Sequence, residues 1–475
     1  MIACSDRFDT TDLLSIFIRP KYNCISADYL QNSSVSMAFN NYCSKLCMQY
    51  RHRRRRYFLL NLFVITLCLC AIFPFKYHIF QLSPSKPLPR NSSFSDLLRK
   101  EMTLNCTGDP LTTWCAAEMK YSILQTIHAE GKRVGGEQIQ AVLNQAENDE
   151  YFHFKKDFLQ IPCNASLPRG ITLQYHLSKI LSSITSYQTS ANADLIVNES
   201  TIAVNRHDYA NIYHTMTDLY TAYILCRFFQ RDPKSVRILF LDAHPHGNLD
   251  VYWSKLFHSY SRLGHLKKYS KILYHEIIWA QPQAQSDIDV QRHRKQTPSF
   301  FADFRQHMLK QFHADSTATR TVNCESLQIF YLGRRNYVAH PRNPSGKVTR
   351  QLPNEKQVLE TLQKKFSGYS KLNFTYNYFE QLPIEEQLQT IARTDVFIGM
   401  HGAGLTYVTM LKPNRALVEL SGPSWQSQDH FQQLAIINQV RYRQCAIQDE
   451  SPTVAEKIFD CTKEKVLELC PSIMT

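Results

Sequence analysis

Apolar and polar residues follow two different periods in the second half of the chain, and the two periods alternate. Short apolar runs at 236–243, 271–280 and 329–335 are typical of buried parallel strands. A segment with helical spacing at 209–229 precedes the first of these runs, and another at 249–263 lies between the first and the second. Strands that alternate with helices predict a parallel sheet covered by helices on both faces.

A second series of the same kind follows a glutamine-rich polar stretch at 281–296. After the strand at 329–335, this second series predicts strands at 372–379, from 396, at 416–421 and at 441–447. The helices between and after them are predicted at 355–367, at 383–394, after the glycine turn, at 428–439 and near 453–467. Residues 193–206 fit a hairpin or two strands, and 101–190 show helical patches without clear alternation. The chain therefore contains two α/β units in tandem, and ligands of such units bind at the carboxyl ends of strands, often between domains.

The N-terminal part has the pattern of a membrane anchor. Residues 57–75 carry no charge and directly follow the arginine cluster RHRRRR at 51–56. A bilayer needs about 20 apolar residues, and the positive flank stays in the cytosol. We therefore predict a cytosolic tail (1–56), a transmembrane signal-anchor (57–75) and a proline- and serine-rich stem (76–100). A buried helix of a soluble domain is the alternative.

Glycosylation sequons and cysteines agree with a lumenal location for the rest. Five N-x-S/T sequons follow the apolar segment, at Asn91, Asn105, Asn164, Asn198 and Asn373. The absence of a KDEL-type ending favours the Golgi membrane over the endoplasmic reticulum, with the cell surface left open. Cysteines after the anchor permit disulfides in an oxidising lumen, and we expect a local bridge between Cys461 and Cys470.

The basic composition does not indicate a nucleic-acid partner. Lys and Arg total 54 against 41 Asp and Glu, a formal charge of +13. The arginine cluster before the anchor supplies five of these charges, and no basic-aromatic repeat of a nucleic-acid module follows.

A glycine turn joins a strand to a helix in VFIGMHGAGLTYV, which begins at Val396. Gly402 and Gly404 allow a sharp turn and close approach of a ligand to the backbone. Amide groups at the start of the following helix would bind an anion there. A tight turn without a ligand is the other interpretation.

A cationic stretch follows another predicted strand. Arg334 and Arg335 close that strand, and Arg342 lies in the loop after it with further basic side chains at His340, Lys347 and Arg350. Arginine binds phosphate oxygens through paired N–H groups, so a diphosphate would suit this strand end. A solvated basic loop is the alternative.

Three polar residues share one face of the helix predicted at 209–229. Asn211, His214 and Asp218 are spaced three and four apart. A carboxylate beside a histidine can act as a general base, whereas a buried network or a surface pair is the structural alternative. Two metal-like patterns, DID at 287–289 and the group Asp242, His244 and His246, lack a complete ligand set, and we predict no metal site.

Three blocks of the sequence resemble, in order and spacing, the plant core β-1,2-xylosyltransferases of glycosyltransferase family 61. The blocks are DYANIYHTMTDLYTAY, RRNYVAHPRNPSGKVTRQLPNEKQVLETL and IGMHGAGLTYV, and the resemblance covers roughly 195–450. It implies a GT-B-like α/β fold, in which two Rossmann-like domains (101–300 on the acceptor side and 301–475 on the nucleotide-sugar side) face a cleft. It also implies an inverting, metal-independent transfer of xylose from UDP-xylose to the core β-mannose of N-glycans on glycoproteins.

Roles for individual residues follow from the same resemblance. His401, Gly402, Ala403 and Gly404 correspond to the diphosphate turn, while Arg334, Arg335 and Arg342 correspond to a clamp on the leaving phosphate. Glu419 would hold the ribose. Asn211, His214 and Asp218 would face the cleft from the N-terminal domain, with Asp218 as catalytic base and His214 as second candidate.

The sequence departs from the plant pattern at Tyr213, Leu219 and Met400, which puts the choice of donor and acceptor in question. Two alternatives therefore stay open. One is a family 61 N-acetylglucosaminyltransferase that acts on a protein or O-mannose glycan. The other is a catalytically inactive lumenal protein that binds glycans.

Overall fold

The structure is a computed structural model that describes the chain between residues 118 and 474, with gaps. The described residues are 118–126, 129–130, 150–161, 180, 183–187, 192–280, 286, 288, 298, 300–314, 321–339, 343–352, 354–422, 428–447 and 453–474. The predicted tail, signal-anchor and stem lie outside them. Within these residues, no helix has the length and apolar character needed to cross a bilayer. All of them belong to one compact unit, Arg90–Thr475.

The N-terminal half is built on a mixed eight-stranded sheet. Its elements are β1 (Glu118–Gln125), β2 (Ala129–Glu130), β3 (His153–Phe154), β4 (Leu159–Ile161), β5 (Ile184–Ser186), β6 (Leu195–Val197), β7 (Thr201–Val204), α1 (Ile212–Phe228), β8 (Arg237–Phe240), α2 (Asp250–Leu256), β9 (Ser259–Arg262), β10 (Lys271–Trp279) and α3 (Phe301–Gln311). The strand order is β5-β4-β1-β10-β7-β8-β9, with β6 also paired to β10 and a separate β2–β3 ribbon.

The prediction of an all-parallel sheet is only partly right for this half. Strands β7, β8 and β9 run parallel to β10, as expected for alternating strands and helices. Strand β1, however, pairs antiparallel with both β10 and β4. The predicted helix at 249–263 is also partly wrong, because it ends at Leu256 and the chain then forms β9 on the sheet edge.

The C-terminal half is a doubly wound parallel sheet. Its elements are β11 (Leu327–Leu332), α4 (Glu355–Ser367), β12 (Leu372–Asn377), α5 (Ile384–Arg393), β13 (Val396–Met400), β14 (Ala416–Ser421), α6 (His430–Ile437), β15 (Arg441–Ala446) and α7 (Val454–Leu469). The strand order is β12-β11-β13-β14-β15, and every pair is parallel. In such folds, ligands bind at the strand ends where the chain leaves the sheet centre in opposite directions. In this strand order, that point lies beside β11 and β13.

The two halves share one hydrophobic core. Side chains of β11 and β13, such as Phe330 and Phe397, belong to the same buried cluster as Met216 and Leu219 of α1. The Tyr252 hydroxyl of α2 lies 3.1 Å from the Tyr407 hydroxyl of the C-terminal half. The halves are thus in direct contact beneath the strand ends, while the predicted boundary at 300/301 stays a prediction.

Two disulfides fix the C-terminal helix α7, and they differ from the expected pairing. Cys324 is bonded to Cys470, and Cys445 is bonded to Cys461. The predicted local bridge between Cys461 and Cys470 is therefore wrong. Cys461 lies within α7 and points at β15, so each cysteine has a partner on a different strand or loop of the sheet.

Candidate active site

The glycine turn after β13 is built for close packing. Gly402 has φ 166°, an extended conformation that any residue adopts, so its need for glycine is steric. A Cβ atom on Gly402 would lie 2.2 Å from Nη1 of Arg334. On Gly404 it would lie 2.8 Å from Cδ2 of Leu332. The predicted helix after the turn is a 3-10 helix, Ala403–Met410, rather than an α-helix.

Arg334 lies directly on this turn. Its Nε donates a hydrogen bond to the Thr349 carbonyl (2.8 Å), and among the described residues no carboxylate forms an ion pair with its guanidinium. Burial, with the nearby charge of Arg350, lowers the pKa of Arg334 to about 10. A partly buried cation next to a second cation favours an anionic ligand, because the ligand would compensate both charges.

Arg350 is the second cation, and its backbone is unusual. It has φ 61°, a left-handed conformation that is rare for a residue with a side chain. Burial lowers the pKa of its guanidinium. Backbone strain of this kind is often retained at functional sites. The sequence pattern places Arg350 in the basic loop, outside the predicted phosphate clamp.

Arg335 has a different environment from Arg334, and its predicted place in the clamp stays a prediction. Its Nε donates to Glu380 at 2.5 Å, and its guanidinium lies 4.5 Å from the centroid of the Tyr378 ring. The charge of Arg335 is thus compensated by protein groups, and it supports the loop from the side. Arg342, the third predicted member of the clamp, lies outside the described residues.

His401 is the first residue after β13 and is held by a buried carboxylate. Its Nδ1 is hydrogen bonded to Oε1 of Glu419 on β14. The other carboxylate oxygen accepts a hydrogen bond from the Tyr442 hydroxyl on β15 (2.7 Å). Glu419 is fully buried, at 0% exposed, and both of its oxygens have protein partners. A contact between Glu419 and a donor ribose, as predicted, would require this arrangement to open.

Asn211 and His214 lie at the start of α1. Asn211 caps the helix, since its Oδ1 accepts a hydrogen bond from the amide of Tyr213 (3.0 Å). The His214 ring packs edge-on against the His207 ring, with centroids 4.6 Å apart. The capping role of Asn211 explains its position without a ligand, and the predicted roles of both side chains stay predictions.

Asp218 lies one turn deeper on the same helix face. It is 4% exposed, and its Oδ2 has no hydrogen-bond partner among the described residues. Burial raises its pKa well above the usual range, and Arg206 opposes that shift. A buried carboxyl with an unpartnered oxygen is the arrangement expected of a proton acceptor that meets its substrate only on binding.

Arg206 organises a buried ion-pair network beneath Asp218. Its guanidinium donates to Asp242 (2.7 Å) and to Asp250 (2.9 Å). His244 pairs through Nδ1 with Glu150 (2.6 Å). The side chains of the metal-like LDAHPH stretch are therefore engaged in ion pairs. Among the described residues, no cluster of three or more His, Cys, Asp or Glu side chains could hold a metal ion.

Aromatic and imidazole rings connect the two halves at the strand ends. The Tyr213 ring of α1 lies 6.3 Å from the His430 ring, and the His430 ring lies 6.2 Å from the His401 ring. Tyr213, which adjoins the predicted N-terminal face, is thus connected through His430 to the predicted diphosphate turn. His430 and Tyr442 were not selected from the sequence, because neither belongs to a local motif.

The sequence was also compared with models of protein families. The family model for glycosyltransferase 61 matches residues 151–418, more than half of the chain. The chain belongs to glycosyltransferase family 61. The matched segment includes Asp218, Arg334 and His401, which the structure places at the strand ends or directly beneath them.

The similarity to individual relatives is modest in sequence identity. The beta-1,2-xylosyltransferase RCN11 of Oryza sativa subsp. japonica is 27% identical over 322 residues, which cover 60% of this chain and 59% of that protein. The beta-1,2-xylosyltransferase of Arabidopsis thaliana is 25% identical over 371 residues, covering 69% and 65%. The EGF domain-specific O-linked N-acetylglucosamine transferase of Rattus norvegicus is 26% identical over 239 residues, covering 48% and 42%. The chain thus spans less than two thirds of the length of each relative.

Proposed function

We propose that this protein is an inverting glycosyltransferase that moves xylose from UDP-xylose to the core β-mannose of N-glycans, forming a β-1,2 linkage. The observation that carries the proposal is the Arg334 guanidinium, which lies on Gly402 at a strand end and has no carboxylate partner within the described part of the chain. A cation in this position suits the pyrophosphate of a nucleotide sugar. The longer similarity to the two plant xylosyltransferases favours xylose as the transferred sugar.

In the proposed reaction, the acceptor hydroxyl attacks the anomeric carbon of the donor from the side of α1. The bond between that carbon and the β-phosphate oxygen breaks, and its electron pair leaves with UDP. The acceptor proton passes to Asp218, whose pKa burial raises above the usual range of a carboxyl, so that it is a stronger base. Arg334, together with Arg350, compensates the charge that develops on the leaving group. We propose that this occurs without a divalent ion.

The experiment is a donor screen on the purified full-length protein. UDP-xylose and UDP-N-acetylglucosamine are offered with two acceptors, a truncated N-glycan and a folded EGF domain, with and without EDTA. We expect xylose transfer to the N-glycan, a β-1,2 linkage in the product, and no loss of rate with EDTA. Arg334→Ala should raise the donor KM strongly, whereas the matched control Arg335→Ala should change it little.

A second candidate function is transfer of N-acetylglucosamine to a protein. It is favoured by the similarity to the rat EGF domain-specific transferase, which extends over 48% of this chain. Transfer of N-acetylglucosamine to the EGF domain, with no xylose transfer, would establish it. Binding of UDP without turnover of either donor would instead establish an inactive glycan-binding relative.

The cellular location is part of the proposal. The arginine cluster and apolar segment at 51–75 and the downstream sequons fit a single-pass type II protein of the Golgi membrane, with its catalytic part in the lumen. Glycosylation of Asn198 and Asn373, detected by a mobility shift on glycosidase treatment, would support this orientation.

A further inference from the structure

Glu419 is a buried carboxylate on a largely apolar face of the C-terminal sheet. It is 0% exposed, and its neighbour on the same strand face, Leu417, belongs to the core shared with α1. Placing a carboxylate in such a position is unfavourable unless it is paired and hydrogen bonded. The hydrogen-bond partners of Glu419 must therefore offset the cost of burying its carboxylate.

The strand register brings these partners together. Glu419 pairs with Gly399 on one side and with Gln444 on the other. His401 lies two residues beyond Gly399, and Tyr442 lies two residues before Gln444, so both side chains project from the same face as Glu419. The result is a row of Tyr442, Glu419 and His401 across three parallel strands.

Tyr442 acts as a fixed donor in this row. Burial and the Glu419 charge both raise the pKa of the Tyr442 hydroxyl, so it stays protonated and donates to Oε2. Oε1 is left for Nδ1 of His401. Because a carboxylate only accepts hydrogen bonds, it requires a proton on Nδ1 and thereby fixes the ring orientation.

The opposite ring nitrogen, Nε2, then lies on the side away from Glu419. His401 follows β13 directly, and its backbone amide donates to the Leu420 carbonyl (2.8 Å). The Arg334 guanidinium packs against the next residue, Gly402. The rings of His430 and Phe431 flank it, with Tyr213 of the N-terminal half beyond His430. His401 therefore lies near the contact between the two halves at the strand ends.

We propose that Glu419 is a positioning residue that holds His401 so that its Nε2–H donates a hydrogen bond to the β-phosphate of the nucleotide sugar. The inference rests on the proposed function, because it assigns the ligand of the same site. Glu419 holds the ring at Nδ1, so Nε2 is the ring nitrogen left to meet the phosphate. The hydrogen bond to the phosphate strengthens as the bond to the anomeric carbon breaks, and no proton needs to be transferred from His401.

The test compares the binding of UDP and UMP to full-length protein variants by calorimetry. Glu419→Gln keeps the shape of the side chain but removes the charge. We expect it to weaken UDP binding about tenfold or more, the size of one charge-assisted hydrogen bond, and to change UMP binding by about twofold or less. His401→Gln should weaken UDP binding to a similar extent, and the double variant should lose little more.

Tyr442→Phe provides a milder variant that leaves the carboxylate in place. It should weaken UDP binding by about threefold, with UMP binding unchanged, because Glu419 keeps its charge but loses one support. Unchanged UDP binding in Glu419→Gln would overturn the inference. It would also be overturned if Glu419→Gln and Tyr442→Phe each weakened UMP binding as much as UDP binding. If the wild-type protein binds UDP but transfers neither donor sugar, the proposed function fails, whereas a selective loss of UDP binding would still support the role of Glu419.

Discussion

Replacing Gly402 by alanine tests the contact between the glycine turn and Arg334. The added Cβ atom would lie 2.2 Å from Nη1 and 2.8 Å from Cζ of the guanidinium, so Arg334 must move. The backbone itself tolerates alanine, because φ is 166° at this position. The substitution should therefore displace one cation from the donor site while leaving the fold intact.

The expected size of the effect follows from the lost interaction. A hydrogen bond to a charged group contributes about 1.5–3 kcal/mol, which corresponds to roughly a 10- to 150-fold rise in the donor KM. The free energy of unfolding should fall by less than about 1 kcal/mol, since the guanidinium tip is free to swing toward solvent on a flexible side chain.

The assay is steady-state transfer kinetics combined with thermal unfolding. Gly404→Ala is the matched control, because its Cβ atom would meet Cδ2 of Leu332 at 2.8 Å rather than a charged group. Overpacking of this kind costs about 1–3 kcal/mol of stability. We expect Gly404→Ala to lower the unfolding temperature and to change the donor KM by less than about threefold.

A double-mutant cycle provides the refutation. If Gly402→Ala acts by displacing Arg334, it should have little further effect on the donor KM in an Arg334→Ala background. Additive effects of the two substitutions, or a donor KM that Gly402→Ala leaves unchanged, would show that the turn and Arg334 do not form one donor site.

Three further predictions concern the proposed base, the buried ion pairs and a disulfide. Asp218→Asn should lower the transfer rate about 100-fold or more, because the proposed base is lost. It should also raise stability at pH 8, because the raised pKa of Asp218 makes wild-type stability fall as pH rises above the ordinary value of 3.8. A full transfer rate, or a stability-versus-pH curve equal to that of the wild type, would contradict this. Asp242→Ala should lower the free energy of unfolding, measured in urea, by about 3–5 kcal/mol because Arg206 loses one of its two buried carboxylate partners; a change below about 1 kcal/mol would contradict the network. Cys470→Ser should cost about 2–5 kcal/mol by removing the bridge to Cys324, a separation of 146 residues, and should make unfolding insensitive to reduction of that bridge.

The C-terminal sheet was predictable because its strands are buried on both faces. Such strands form continuous apolar runs, and the helices between them have strong amphipathic spacing, so α4 was predicted with its observed bounds at 355–367. Strand β1 was not predicted, because its partner β10 lies about 150 residues later in the chain and antiparallel pairing leaves no local signal. The pairing of Cys324 with Cys470 was missed for the same reason.

The candidate site shows the same division between local and distant information. A cationic strand end and a glycine turn are local patterns, and the structure does bring Arg334 and Gly402 into contact. The sequence did not separate Arg334 from Arg335, since the partner of Arg335 is Glu380, 45 residues away. The contact between Glu419 and His401 was likewise not predicted, because it depends on the register of two neighbouring strands.

The central claim is that the pyrophosphate of a nucleotide sugar binds between Arg334 and the turn that begins at His401. The most direct measurement is a crystal structure of the protein with UDP bound. The account predicts phosphate oxygens within hydrogen-bond distance of the Arg334 guanidinium and of the His401 side chain. A diphosphate bound elsewhere, or one held at this site chiefly by a divalent cation, would contradict it.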